Sequence, residues 1–154
     1  MARAIERSAA RLAAVQALYQ MDVTGKTLPD IFEEFETFWI GREIEGDQYN
    51  NAELAFFRDI LSGVLADQGP LDRAIDATLI DGWPLARVDS VMRATLRGGA
   101  YELKKRKDVP ARVIIKEYVD VAGAFFGPDE SGMINAVLDG MARQFRAEEF
   151  AAQA

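Results

Sequence analysis

Apolar residues recur along this chain at the three- and four-residue spacing of amphipathic helices. No stretch alternates long enough with the period of two that marks a half-buried strand. The first helix predicted runs from Arg3 to Met21, with Ile5, Leu12, Val15 and Tyr19 on its apolar side. It ends at Asp22-Val23-Thr24-Gly25, where Gly25 suits a C-terminal cap. Thr27-Leu28-Pro29-Asp30 reads as the start of a second helix bearing Phe32, Phe35, Phe38 and Trp39, an aromatic spacing that fits a core better than a ligand box. The polar, glycine-containing stretch from Gly41 to Asn50 predicts a loop. A third helix from Asn51 to Gln68 carries Leu54, Phe57, Leu61, Val64 and Leu65, and Gly69-Pro70 separates it from a fourth built on Leu71, Ile75 and Leu79.

Asp81-Gly82-Trp83-Pro84 breaks the pattern and predicts a boundary between an N-terminal subdomain, residues 1–80, and a C-terminal one, residues 84–147. The fifth helix runs from Asp89 or Ser90 to Lys107, with Met92, Leu96 and Leu103 on its apolar side. Gly98-Gly99 lies inside it, although each glycine there costs about 1 kcal/mol relative to alanine. Close approach of another helix is the plain explanation, and a local kink the alternative. The sixth helix starts at Pro110 and turns Ile114, Ile115, Tyr118, Val121, Ala122 and Phe125 to one side. Gly127 to Gly132 predicts a loop, Met133 to Arg146 the last helix, and residues 148–154 a frayed tail. The expectation is an all-α fold of about seven helices, in two packed three-helix-type subdomains of a single domain over residues 1–154.

Charge adds a second pattern. Arg3, Arg7 and Arg11 recur every four residues, so successive guanidinium groups are turned by only about 40° and share one face, roughly 130° from the apolar side. Such a row is either a solvated face or an anion-binding ridge for a nucleic-acid backbone. From Gln20 to Ala86 there are four basic residues against fourteen acidic ones, whereas from Arg87 to Lys116 there are nine against three. This asymmetry suggests that one part of the surface meets an anion and another avoids it.

Composition closes several routes. The chain has no cysteine and no histidine, which removes disulfides, thiol chemistry and the commonest general base and metal ligand. No phosphate-binding loop, dinucleotide fingerprint or G-x-S-x-G context occurs, and the carboxylates are not paired by spacing with a nucleophile. The expectation is a protein that is not an enzyme, with no cofactor and no metal. No apolar run approaches the roughly 20 residues that cross a bilayer, so a cytoplasmic location without membrane contact is expected.

Several blocks, in order, resemble the NusB family of bacterial transcription antitermination factors. They are Arg7-x-x-x-Arg11 with Ala14-Val15-Gln16-Ala17-Leu18-Tyr19-Gln20, then Phe57-Arg58-Asp59-Ile60-Leu61-Ser62-Gly63-Val64, Leu71-Asp72, Leu96-Arg97-x-x-x-Tyr101-Glu102-Leu103 and Asp108-Val109-Pro110. Near the end come Ile115-x-Glu117, Ala122 and Asn135-Ala136-Val137-Leu138-Asp139. The resemblance implies an all-helical protein that pairs with NusE, a small-ribosomal-subunit protein, on boxA RNA. It also implies work with other Nus factors to help RNA polymerase read through terminators, notably in ribosomal RNA operons. By that resemblance Arg3, Arg7 and Arg11 contact RNA, as do Asp129, Met133 and Asn135 around the start of the last helix. Tyr19 and Met92 fall at partner-binding positions, Tyr19 also belonging to the core stripe. A homodimer covering the arginine face is a further possibility in this family.

The chain departs from the family pattern in places. Ser8 and Ala9 stand where many relatives carry further arginines, Met133 where phenylalanine can occur, and Met92 where glutamate is frequent. Lys116 stands for a common asparagine and Ala136 for the usual glycine. Two other readings stay open: a free-standing RNA-recruiting domain related to RNA cytosine methyltransferases, and a helical protein-binding scaffold without RNA affinity.

Overall fold

The computed structural model describes residues 2–44, 51–79 and 88–151, with side chains described for 7–37, 53–79 and 88–150. Within them the chain forms eight helices and no strand: α1 (Ala2–Thr24), α2 (Leu28–Ile44), α3 (Asn51–Ala66), α4 (Gln68–Thr78), α5 (Ser90–Lys105), α6 (Ala111–Phe125), α7 (Pro128–Phe145) and α8 (Ala147–Ala151). The all-α expectation therefore holds. The boundary expected at Asp81 to Pro84 lies outside the described residues.

Helix α5 is the central element and touches α1, α3, α4, α6 and α7. Its glycine pair is what lets them close in. A Cβ on Gly98 would lie 2.9 Å from the Tyr118 ring of α6, and one on Gly99 would lie 2.9 Å from Leu138 of α7. Two helices approach the α5 backbone more closely than any side chain would permit, so close approach is the explanation for these glycines. Gly63 of α3 plays the same part on the other side of α5, where Tyr101 lies across it. The predicted aromatics of α2 do pack inward, with Phe35 stacked on Phe57 at 5.2 Å and Phe32 tilted against it at 6.3 Å. Phe38 and Trp39 have side chains outside the described set.

The C-terminal end departs from the sequence reading. Residues 128–132 are the first turns of α7 rather than a loop: Pro128 occupies the first helical position, and Asp129 and Glu130 meet the positive end of the helix dipole. The residues expected to fray begin with a short helix, α8, whose Phe150 packs on the core and under Arg143, 4.6 Å from the guanidinium carbon. Just before α8, buried Arg146 closes the turn between α5 and α6. It donates to the carbonyls of Glu102, Leu103, Arg106 and Val109 at 2.7–3.1 Å and pairs with Glu149, which accepts from the Ala111 backbone N–H. One side chain thus supplies donors to the Leu103 and Val109 carbonyls and a second donor to those of Glu102 and Arg106, which also accept from the backbone N–H groups of Arg106 and Val109.

The two charge blocks also have a structural use. Arg93 pairs with Asp22 of α1 at 2.7 Å, Arg97 with Asp72 of α4 at 2.8 Å, Lys104 with Asp67 at 2.7 Å and Arg106 with Asp59 of α3 at 3.1 Å. Four of the nine cations in the basic block are therefore spent on the acidic span, fastening α5 to its neighbours. Part of the asymmetry along the sequence is therefore an internal complementarity.

A Cβ on Gly63 would sit 2.1 Å from a Tyr101 ring that is buried and held by Asp59 at 2.9 Å. Overpacking of about 1–3 kcal/mol should outweigh the roughly 1 kcal/mol of helix propensity that alanine adds. Gly63→Ala is expected to lower stability by about 1 kcal/mol, read as a lower urea midpoint at unchanged slope.

Candidate nucleic-acid interface

The arginine row of α1 was expected on a face clear of the core; it lies against the core. Arg7, Arg11, Ala14 and Leu18 are spaced by four, three and four residues and so share one side of the helix. That side, with Ala10, Val15 and Ala17, is the buried one. Small alanines let α1 settle closely on α3 and α5, and this packing outweighs the pull of its larger apolar residues. Leu12 and Tyr19 are left 37% and 39% exposed, and Val23 57%. Of the four residues assigned to the apolar stripe, Val15 is buried and Ile5 has its side chain outside the described set, as does Arg3 of the arginine row.

Arg11 is 2% exposed, and Glu102 of α5 is wholly buried. The Arg11 fork donates twice to Glu102, through Nε at 2.7 Å and Nη2 at 2.9 Å, and a third bond runs from Nη1 to Glu117 of α6 at 3.0 Å. Tyr118 donates its hydroxyl to Glu102 at 2.6 Å, and Ser8 donates to Glu117 at 2.6 Å. Burial opposes the Arg11 charge, but the hydrogen bond and charge of Glu102 override it and hold the guanidinium pKa above its ordinary value. Burial, followed by the Glu102 charge, pushes the Tyr118 phenol well above the usual tyrosine range. Arg11 is therefore the corner of a buried network joining α1, α5 and α6, and no phosphate can reach it here.

Arg7 keeps a partly exposed guanidinium. It lies 4.8 Å from the centre of the Phe56 ring and 3.5 Å from Asp108. Arg11 and Arg106 approach the same ring at 5.0 and 4.9 Å. Around these three guanidinium groups stand four carboxylates, Asp59, Asp108, Glu102 and Glu117, so the cluster is not a net positive patch. Its contribution to anion binding is the accessible edge of Arg7, held in place from below.

The remaining sequence-predicted residues separate. Asp129 and Asn135 are exposed on α7, and Met133 is partly buried against the core. Met133 and Asn135 are two residues apart, about 200° around the helix, so they face different ways. Asn135 looks into a groove between α6 and α7 that Arg112, Ile115, Lys116, Val119 and Asp139 complete. Met92 is buried within the core of α5, which corrects its assignment as a partner contact; an apolar side chain at an inward position of the central helix packs rather than binds. Tyr19 remains available, with Leu12 and Val23 on the same side of α1. The sequence reading missed Glu102, Tyr118 and Phe56 as parts of the site. The signal for the first was a glutamate flanking the apolar side of α5, on the side away from Arg93, Arg97 and Lys104.

Comparison with known proteins gives one family. The NusB family model matches residues 8–143. The transcription antitermination protein NusB of Rhodopseudomonas palustris is 65% identical over 148 residues, covering 96% of this chain and 88% of its own length. That of Bradyrhizobium diazoefficiens is 61% identical, covering 96% and 90%. Among solved structures, NusB of T. maritima superposes with a TM-score of 0.79 at 28% identity, covering 94% of this chain and 96% of its own. A crystal structure of antitermination factors NusB and NusE in complex with dsRNA contains a chain of the same fold, with a TM-score of 0.75 at 22% identity, covering 91% and 98%.

Removing one partner of a buried pair costs about 3–5 kcal/mol, because the other charge is left stranded. Arg11→Ala is accordingly expected to lower the stability measured by urea unfolding by that amount, whereas Arg7→Ala should change it by less than about 1 kcal/mol. Tyr118 binds its proton more tightly in the folded state. Stability should therefore be unaffected by this group below about pH 9 and fall as pH rises past the unfolded tyrosine value near 10. Unfolding midpoints between pH 8 and 11 should show a decline that Tyr118→Phe makes shallower.

Proposed function

The chain belongs to the NusB family, and from that premise we propose that it is a non-catalytic transcription antitermination factor, binding boxA RNA together with NusE to support read-through by RNA polymerase, ribosomal RNA operons included. The observation that carries the reading is high identity along nearly the whole chain to relatives named transcription antitermination protein NusB. The solved complex of NusB, NusE and dsRNA supports the choice of ligands by analogy of fold.

In this reading the α1 residues divide their work. Arg3 and the accessible edge of Arg7 contact phosphates, and Arg11 is a positioning residue that fixes the rotation and height of α1 through Glu102 and Glu117. Asp129, Met133 and Asn135 extend the RNA surface along α7. The protein partner takes the Leu12, Tyr19 and Val23 stripe, which is apolar, solvent-facing and turned away from the arginines. Because the Arg7 cluster is neutralised from within, affinity for RNA alone is weak and the partner protein completes the site.

A titration of boxA and scrambled single-stranded RNA, with and without NusE, tests this. The boxA RNA should bind more tightly, NusE should strengthen it, and Arg7→Ala should weaken it about threefold with a shallower salt dependence, as expected for one lost phosphate contact. Equal affinity for the two RNAs in the presence of NusE defeats the proposal.

A further inference from the structure

Among the described residues, three basic side chains make no hydrogen bond or ion pair: Arg73, Lys105 and Arg112. Of these, Arg112 lines a groove. It stands where two adjoining hollows meet on the outer side of α6 and α7. One hollow, about 380 Å³, is floored by Ile115 and Val119 and edged by Lys116, Asn135 and Asp139. The other, about 450 Å³, continues past Ile115 to Phe150 of α8. Lys116 is engaged with Asp120 at 2.9 Å, Asp139 with Arg143 at 3.0 Å and Glu149, which also lines the second hollow, with Arg146 at 2.6 Å, so the uncompensated charge at this groove is the Arg112 guanidinium.

Two residues from Glu117, which bonds α1, positions 115 and 119 are turned by about 200° on α6. The groove is thus a different surface from the one Arg7 borders. Its apolar floor is two aliphatic side chains wide, far from the roughly 800 Å² per partner of a specific protein interface, but suited to one planar ring. Asn135 at the rim has an amide that can both donate to and accept from a base edge, and the free guanidinium lies at phosphate reach along the groove.

We propose that the α6–α7 groove is a nucleotide subsite for single-stranded RNA, with an unstacked base against Ile115 and Val119, its edge on Asn135 and the adjoining phosphate on Arg112. The assignment rests on the RNA-binding reading above and adds to it a second point of attachment, on the far side of α6 from α1. The base enters edge-on between the two helices, and the strand continues past Arg112 toward α8.

The test uses a 12-nucleotide boxA-containing RNA, with 4-thiouridine at successive positions, and the full chain with NusE present. Arg112→Ala should weaken binding about threefold and lower the slope of log affinity against log salt by about 0.7, while Arg112→Lys keeps the slope. Asn135→Ala should weaken binding at unchanged slope, and one thiouridine position should cross-link within residues 112–119. If the Arg112 and Asn135 variants bind as the parent does while Arg7→Ala is weakened, the groove proposal fails and Asn135 leaves the RNA surface, while the RNA reading stands on Arg7. If the parent binds no RNA, both fail. If Arg112→Ala impairs binding of NusE without RNA, the groove is a protein surface and the proposal is overturned.

Discussion

A single buried ion pair sets the geometry on which the rest of this protein depends. Arg11 and Glu102 face each other where α1 crosses α5, and the desolvation of both charges is offset by a two-bond fork and by further bonds on each partner. Tyr118 takes up a further lone pair of Glu102, and Glu117 takes the remaining arm of the guanidinium. A pair of this kind adds little net stability compared with a well-packed apolar substitute, but it strongly penalises any arrangement in which the partners miss each other. A helix whose contact face is mostly alanine could slide or rotate with modest loss of apolar contact. The fork at Arg11 forbids that, and so fixes where Ser8, Arg7 and the segment before them emerge from the body of the molecule.

The same logic runs through α5. Its cations find acidic partners on α1, α3 and α4, and its glycines admit α6 and α7. Each exposed pair is weak alone, yet together they give α5 one rotational setting. Two consequences follow for function. Much of the positive charge is unavailable to a polyanion, because it is already neutralised. Among the described residues, Arg73, Lys105 and Arg112 stand outside this pairing and the edge of Arg7 stays accessible, a spread that favours an extended strand held at separate points over a dense basic patch.

Helix positions were largely legible in the sequence, because a 3.6-residue apolar period is a local property. The faces were less so. Leu12 and Tyr19 have the larger apolar area, yet α1 leaves them partly exposed and buries Ala10, Ala14, Ala17 and Leu18 beside Val15, because close helix approach rewards small side chains and periodicity weighs size. An arginine on that alanine side reads as solvated unless its buried carboxylate partner, 91 residues away, is known. Met92 failed for the converse reason: family position suggested a surface, and its own chemistry put it in the core. The turn formers Gly127-Pro128-Asp129 read as a loop, although proline and acidic residues are also what opens a helix. Of the candidate site, Arg7 and Asn135 could be placed on helices from spacing, but that they border different surfaces needed the packing of α6 between them.

Arg146 imposes a constraint of order. The corner between α5 and α6 presents the carbonyls of Glu102, Leu103, Arg106 and Val109 to a guanidinium that lies roughly forty positions later in the chain. The Glu102 and Arg106 carbonyls also accept from the backbone N–H groups of Arg106 and Val109, but until α7 has docked the bonds that the guanidinium makes to all four are left to water. A nascent or clipped chain ending short of residue 146 would hold most of its helices but not this seal. Docking of α7 and closure of the α5–α6 corner are therefore a single event.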